Sequence, residues 1–186
     1  MDIAASGESR HRGTLTIDTW LQDTEHVFGQ YVGERAIWVG ASVGAWLMIL
    51  LHRRHPAWFS DMCGLAPAFD WDRNYVAPAV EQGRLTVANG VVLWNSQPLV
   101  STDLVTSMER YHVLGARTQL EAPLHVIFGG KDDVVPSESV EQFLRSATGA
   151  ACTSDYIAQG DHGIAKLSSD EAVDRFERWL ACALRA

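Results

Sequence analysis

The sequence predicts an α/β fold: a mostly parallel sheet with helices on both faces. Three observations carry that expectation. Short apolar runs suited to buried strands alternate with longer stretches of helical spacing. Glycines, prolines and polar clusters fall between them as turn signals. The 186 residues are 47% hydrophobic and 20% charged, enough for one packed core. The stretch 68–115 breaks the alternation and reads as a cap or lid insertion, so residues 1–186 are read as a single domain.

The elements follow in order. Thr16 to Val32 places Ile17, Trp20, Leu21, Val27, Phe28 and Tyr31 at helical spacing, and Gly33 suits its stop. Ala36 to Val39 is a short apolar strand. Val43 to His55 reads as a helix closed by Pro56, and Phe59 to Ala66 as a second buried strand closed by Pro67. The insertion is rich in turn formers, carries Trp71, Tyr75, Trp94 and Tyr111, and is helical near Thr102 to Leu114. Leu124 to Phe128 is the next strand, Ser137 to Ser146 a helix and Ala151 to Ala158 a weaker strand. Ser169 to Leu184 is a final helix with the acidic start Ser169-Asp170-Glu171.

Composition excludes several function classes. Fifteen Lys/Arg against twenty-three Asp/Glu give a formal charge of −8. That argues against nucleic acid, which rewards a basic face, and against an anionic membrane surface. The uncharged run Ala36 to Leu51 is shorter than the roughly twenty apolar residues of a membrane span. Cys63, Cys152 and Cys182 are widely spaced and odd in number, fitting reduced thiols in a cytoplasm. Cys and His show no metal-ligand spacing, and Met1 to Gly13 has no apolar leader core. The expectation is a cytoplasmic protein that needs no metal or cofactor.

The chemistry begins at Gly40-Ala41-Ser42-Val43-Gly44, a GxSxG between a strand and a helix. Such a turn lifts the serine Oγ above the sheet and aims the next helix N-terminus at developing negative charge. The pentapeptide alone is weak, and its context strengthens it. A second piece is Gly129-Gly130-Lys131-Asp132-Asp133, an acid just past a strand. Its plain reading is a polar turn with a capping side chain. A third is Gly160-Asp161-His162-Gly163, again past a strand. Ser42, Asp132 and His162 each follow their own strand in that order, and an acid just past a strand is well placed to orient an imidazole from the sheet's carboxyl edge. His52 and His55 read as solvent-facing or as helix C-terminal caps, and His125 as structural. His11, His26 and His112 show no partner pattern.

At these residues the chain resembles the α/β-hydrolase superfamily. It is similar, more narrowly, to bacterial relatives of mitochondrial acyl-protein thioesterases and acyl-glucuronide esterases. The carrying segments are Val39-Gly-Ala-Ser-Val-Gly-Ala-Trp46, Gly64-Leu-Ala-Pro-Ala68, Gly130-Lys-Asp-Asp-Val-Val-Pro136 and Gly160-Asp-His162. The resemblance implies Ser42 as nucleophile, His162 as general base and then acid, and Asp132 as its orienting carboxylate, with Asp133 as the alternative acid. It implies the Val43 N–H as an oxyanion donor. Trp46, Trp71 and Trp94 are candidate walls of an acyl pocket, and packing of the insertion is the plainer role for each.

The front departs from the pattern. Asp2-Ile-Ala-Ala-Ser-Gly-Glu-Ser9 resembles the family's Asp-Tyr-x-Gly-His-Gly-x-Ser after the fourth strand, with Ala5 and Ser6 replacing its first Gly and His. Only 41 residues precede Ser42. The resemblance therefore implies that the first three strands, most of the fourth and the loop giving the second oxyanion donor are absent. Losing one such donor costs about 3–4 kcal/mol of transition-state stabilisation. The Ala36–Val39 strand then becomes an exposed apolar edge. Two accounts stand: a misplaced or truncated gene start, or a half-sheet completed at that edge by a second copy or another chain.

The expected function is a serine hydrolase that cleaves a small-molecule carboxylic ester or thioester through an acyl-enzyme. The alternative is a catalytically impaired, truncated pseudo-hydrolase that binds a small ligand or a protein. A β-augmentation module at the open edge, and a peptidase or acyltransferase with the same three residues, remain further alternatives.

Overall fold

The structure, a computed structural model, describes residues 13–185. The segment Asp2–Ser9 and His11 lie outside the described residues. The chain runs α1 (Ile17–Tyr31), β1 (Ala36–Ala41), α2 (Val43–Arg54), β2 (Phe59–Leu65), α3 (Ala77–Glu81), β3 (Thr86–Ala88), β4 (Val91–Trp94), β5 (Gln97–Ser101) and α4 (Thr102–Met108). It continues with β6 (Thr118–Leu120), β7 (Leu124–Gly129), α5 (Ser137–Ser146), β8 (Ala147–Gly149), β9 (Cys152–Ile157) and α6 (Asp170–Ala183). The elements group into two compact units.

The larger unit takes Glu34–Phe69 and the chain from Val113 onward. Its sheet has the strand order β1-β2-β7-β9, with every pairing parallel. Parallel strands need both faces covered, and their apolar runs reflect that. Gly40 pairs with Gly64, Cys63 with His125, and Ile127 with Asp155. β1 ends the sheet among the described residues, and Val39 on it is about half exposed.

Helix α2 has no polar face from Ala45 to His52, and all of these residues are buried. This corrects the expectation for His52. It is not solvent-facing but 1% exposed, and its Nε2 accepts the N–H of Glu121 at 3.2 Å. A helix that is apolar all round leaves no exposed side for a histidine to occupy. His125 is structural, as expected: its Nδ1 is 2.8 Å from Thr153 Oγ1.

α6 starts on Ser169, whose side chain accepts the N–H of Ala172. It covers one sheet face through Phe176 and Trp179, which pack on Cys63, Ile127 and Ile157. The short parallel pair β6–β8 was not expected from sequence.

The smaller unit joins the described residues up to Gly33 with Asp70–His112. Helix α1 belongs here. Thr16 caps it, the Ile17 N–H donates to Ser107 Oγ at 2.9 Å, and Asp18 takes Arg110 and the Tyr111 hydroxyl. Strands β3, β4 and β5 form an antiparallel sheet. Two-residue turns link them, Asn89-Gly90 and Asn95-Ser96, each with both residues at positive φ. In place of one helix over Thr102 to Leu114 there is α4 followed by a 3₁₀ turn at Glu109–Tyr111, and α3 adds helix earlier in the insertion.

Candidate active site

The three candidate residues follow the carboxyl ends of β1, β7 and β9. Because these strands are parallel, all three lie at one edge of the sheet, where ligand sites of open α/β sheets gather.

Ser42 sits between β1 and α2 at φ 51°, ψ −123°. A side chain there is strained, and the surrounding backbone holds it in place. The Ser42 N–H donates to Leu65 O at 2.9 Å, and its carbonyl accepts the N–H of Ala45 and of Ala68. Gly40 makes the turn possible, because a Cβ there would lie 2.5 Å from the Ala45 Cα. Val43 is the first residue of α2, so its N–H lies in the helix's unpaired first turn. Ser42 is half-buried.

Asp132 and His162 meet directly. His162 Nδ1 is 2.9 Å from Asp132 Oδ2. A carboxylate accepts, so Nδ1 carries a proton, and in the neutral ring the lone pair is then on Nε2. The other carboxylate oxygen accepts the N–H of Val134 at 2.9 Å and of Val135 at 2.8 Å. The Asp132 side chain is 2% exposed and that of His162 26%. The acid is therefore enclosed while the imidazole keeps an open side. Asp133 is exposed and is not the residue brought to His162.

Two loops must touch for this contact. Lys131 N–H donates to Gly160 O at 2.8 Å, joining the turn that carries Asp132 to the turn that carries His162. A Cβ at Gly129 would lie 2.1 Å from that same carbonyl oxygen. Asp161 caps the following 3₁₀ turn by accepting the N–H of Gly163. These supporting groups were missed in the sequence. The Gly129-Gly130 pair was the available signal, since adjacent glycines after a strand mark a close backbone approach.

The three candidate pocket tryptophans differ in their surroundings. Trp46 has no exposed surface within α2. In the smaller unit, Trp71 stacks on Tyr75 and Trp94 is 57% exposed on β4. Among the described residues, no group of three or more His, Cys, Asp or Glu could hold a metal ion. No helix among them is long and apolar enough to cross a membrane.

No family model matches the chain, and no curated protein matches it. Solved structures do. The mouse alpha/beta hydrolase domain-containing protein 10 superposes with a TM-score of 0.80 at 18% identity, covering 99% of this chain and 76% of that one. A monoacylglycerol lipase of Paleococcus ferrophilus gives 0.67 at 20% identity, covering 92% and 76%. An esterase of Exiguobacterium antarcticum gives 0.68 at 15% identity, covering 98% and 79%. At such identities the likeness is one of architecture, and it agrees with the parallel sheet and the turn at Ser42: the chain has the α/β-hydrolase fold.

Proposed function

We propose that the chain is a serine hydrolase cleaving a carboxylic ester or thioester through an acyl-enzyme. One observation carries the reading. The His162–Asp132 pair and the strained Ser42 turn share one sheet edge. The esterase and lipase names among the structural neighbours agree with it.

In this reading Ser42 Oγ attacks the acyl carbonyl and its proton passes to His162 Nε2. The oxyanion takes the Val43 N–H as the new C–O bond forms. Collapse breaks the bond to the alkoxide or thiolate, which leaves with the proton from His162. Water then attacks the acyl-serine, with His162 again accepting its proton, and the carboxylic acid departs as Ser42 is restored. Asp132 holds the imidazole tautomer and stabilises the imidazolium. The formal charge of −8 disfavours anionic substrates and so favours neutral acyl groups.

The test is covalent labelling with a fluorophosphonate, read by intact mass. Labelling is expected in the native chain and lost in Ser42→Ala and His162→Ala. A screen of acyl esters and thioesters then separates the two leaving groups. A folded native chain that takes no label would instead support the non-catalytic binding protein.

A further inference from the structure

The smaller unit holds a groove of about 660 Å³. Val80 and Val105 form part of its apolar wall, and Glu81 and Glu109 add carboxylates to its lining. Asp72 and His112 line it as a pair, with His112 Nε2 2.8 Å from Asp72 Oδ2. The Asp72 side chain is 8% exposed, whereas His112 is 26% exposed. The second Asp72 oxygen, Oδ1, is buried without a hydrogen-bond partner.

This arrangement is costly as a purely structural device. A buried carboxylate with one unsatisfied oxygen is destabilising, and replacing the pair with apolar side chains would remove that cost. Asp72 also opens a π-helical turn, Asp72–Val76, a departure from α geometry that recurs at functional sites. The carboxylate accepts from Nε2–H, which leaves Nδ1 of the neutral His112 ring with a lone pair.

Charge selects the ligand. Asp72, Glu81 and Glu109 outnumber the single permanent cation of the lining, Arg73. We propose that this groove binds a small organic ammonium ion carrying a short hydrocarbon chain. The chain would lie along Val80 and Val105. The ammonium would sit among Glu81, Glu109 and the imidazole of His112. The proposal rests on this lining alone and does not depend on the Ser42 chemistry.

The test is a titration of the full chain with hexylammonium near pH 8, followed by NMR at the His112 ring and the Val80 and Val105 methyls. Parallel titrations use hexanol and hexanoate. The expected result is saturable shifts at those three residues with hexylammonium, unchanged in Ser42→Ala and weaker with both other probes. Glu81 and Glu109 are exposed, so Glu81→Gln with Glu109→Gln should leave the fold intact. Together they should weaken binding roughly three- to tenfold. The proposal is overturned if there is no saturable shift, if hexanol or hexanoate binds as well, or if the double variant binds undiminished.

Discussion

The backbone N–H of Lys131 donates to the carbonyl of Gly160 at 2.8 Å, next door to the contact between Asp132 and His162. The side-chain pair thus rests on a main-chain pair. Gly129→Ala should separate both, because its Cβ would meet the Gly160 oxygen at 2.1 Å. The expected cost is about 1–3 kcal/mol of stability, with hydrolysis falling further than stability predicts. Urea unfolding and ester turnover on the same preparation would check it.

The neighbouring acids should separate cleanly. Asp132→Asn leaves the shape but removes the charge beside His162 Nδ1, and kcat should fall by roughly 10⁴. Asp133→Asn, at an exposed side chain, should change kcat little. Hydrolysis of a p-nitrophenyl ester by the two variants decides the assignment, and equal losses would contradict it.

The two glycines of the serine motif should respond in opposite directions. Gly40→Ala drives a Cβ to 2.5 Å from the Ala45 Cα, and a loss of about 1–3 kcal/mol is expected. Gly44 has nothing within 4 Å of an added Cβ and lies inside α2. Gly44→Ala should stabilise by about 0.5–1 kcal/mol. Thermal midpoints of the pair provide the comparison.

Acid should destabilise the fold through His52. Burial pushes this imidazole below its ordinary value of 6.5, and the nearby Glu121 carboxylate opposes that only in part. In the window from about pH 6.5 down to the lowered folded value, the unfolded chain binds the extra proton. Stability therefore falls as pH drops through that window and levels off below it. His125 is shifted the same way by burial, so His52→Gln should flatten the decline without abolishing it. Urea midpoints at about pH 7.5 and 5.5 would show the change in slope.

Much of the parallel sheet was legible because burial on both faces demands continuous apolar runs, and Met62–Leu65 and Val126–Gly129 are such runs within their strands. The hairpins of the smaller unit were not. Thr86–Ala88 is short and wholly exposed, so no alternation marks it. Only Asn89-Gly90 signalled the turn. His52 is buried against its polarity because the helix around it is apolar on every side. Asp133 stayed open as the alternative to Asp132, because the Asp132 carboxylate is held by backbone bonds from Val134 and Val135 that two adjacent identical residues do not reveal.

The interruption of the larger unit also sets a timetable for synthesis. β1, α2 and β2 leave the ribosome before the whole of Asp70–His112, and β7 follows only afterwards. At about 5–20 residues per second, that leaves a half-built sheet waiting for seconds. Throughout the wait α2 exposes Trp46, Leu47, Ile49, Leu50 and Leu51, all of which end up buried. A nascent chain arrested after Leu65 should therefore bind a hydrophobic dye or a chaperone, and one extended beyond Ile157 should release it. The insertion makes the order of translation, as much as the final packing, the point at which this chain is most exposed to aggregation.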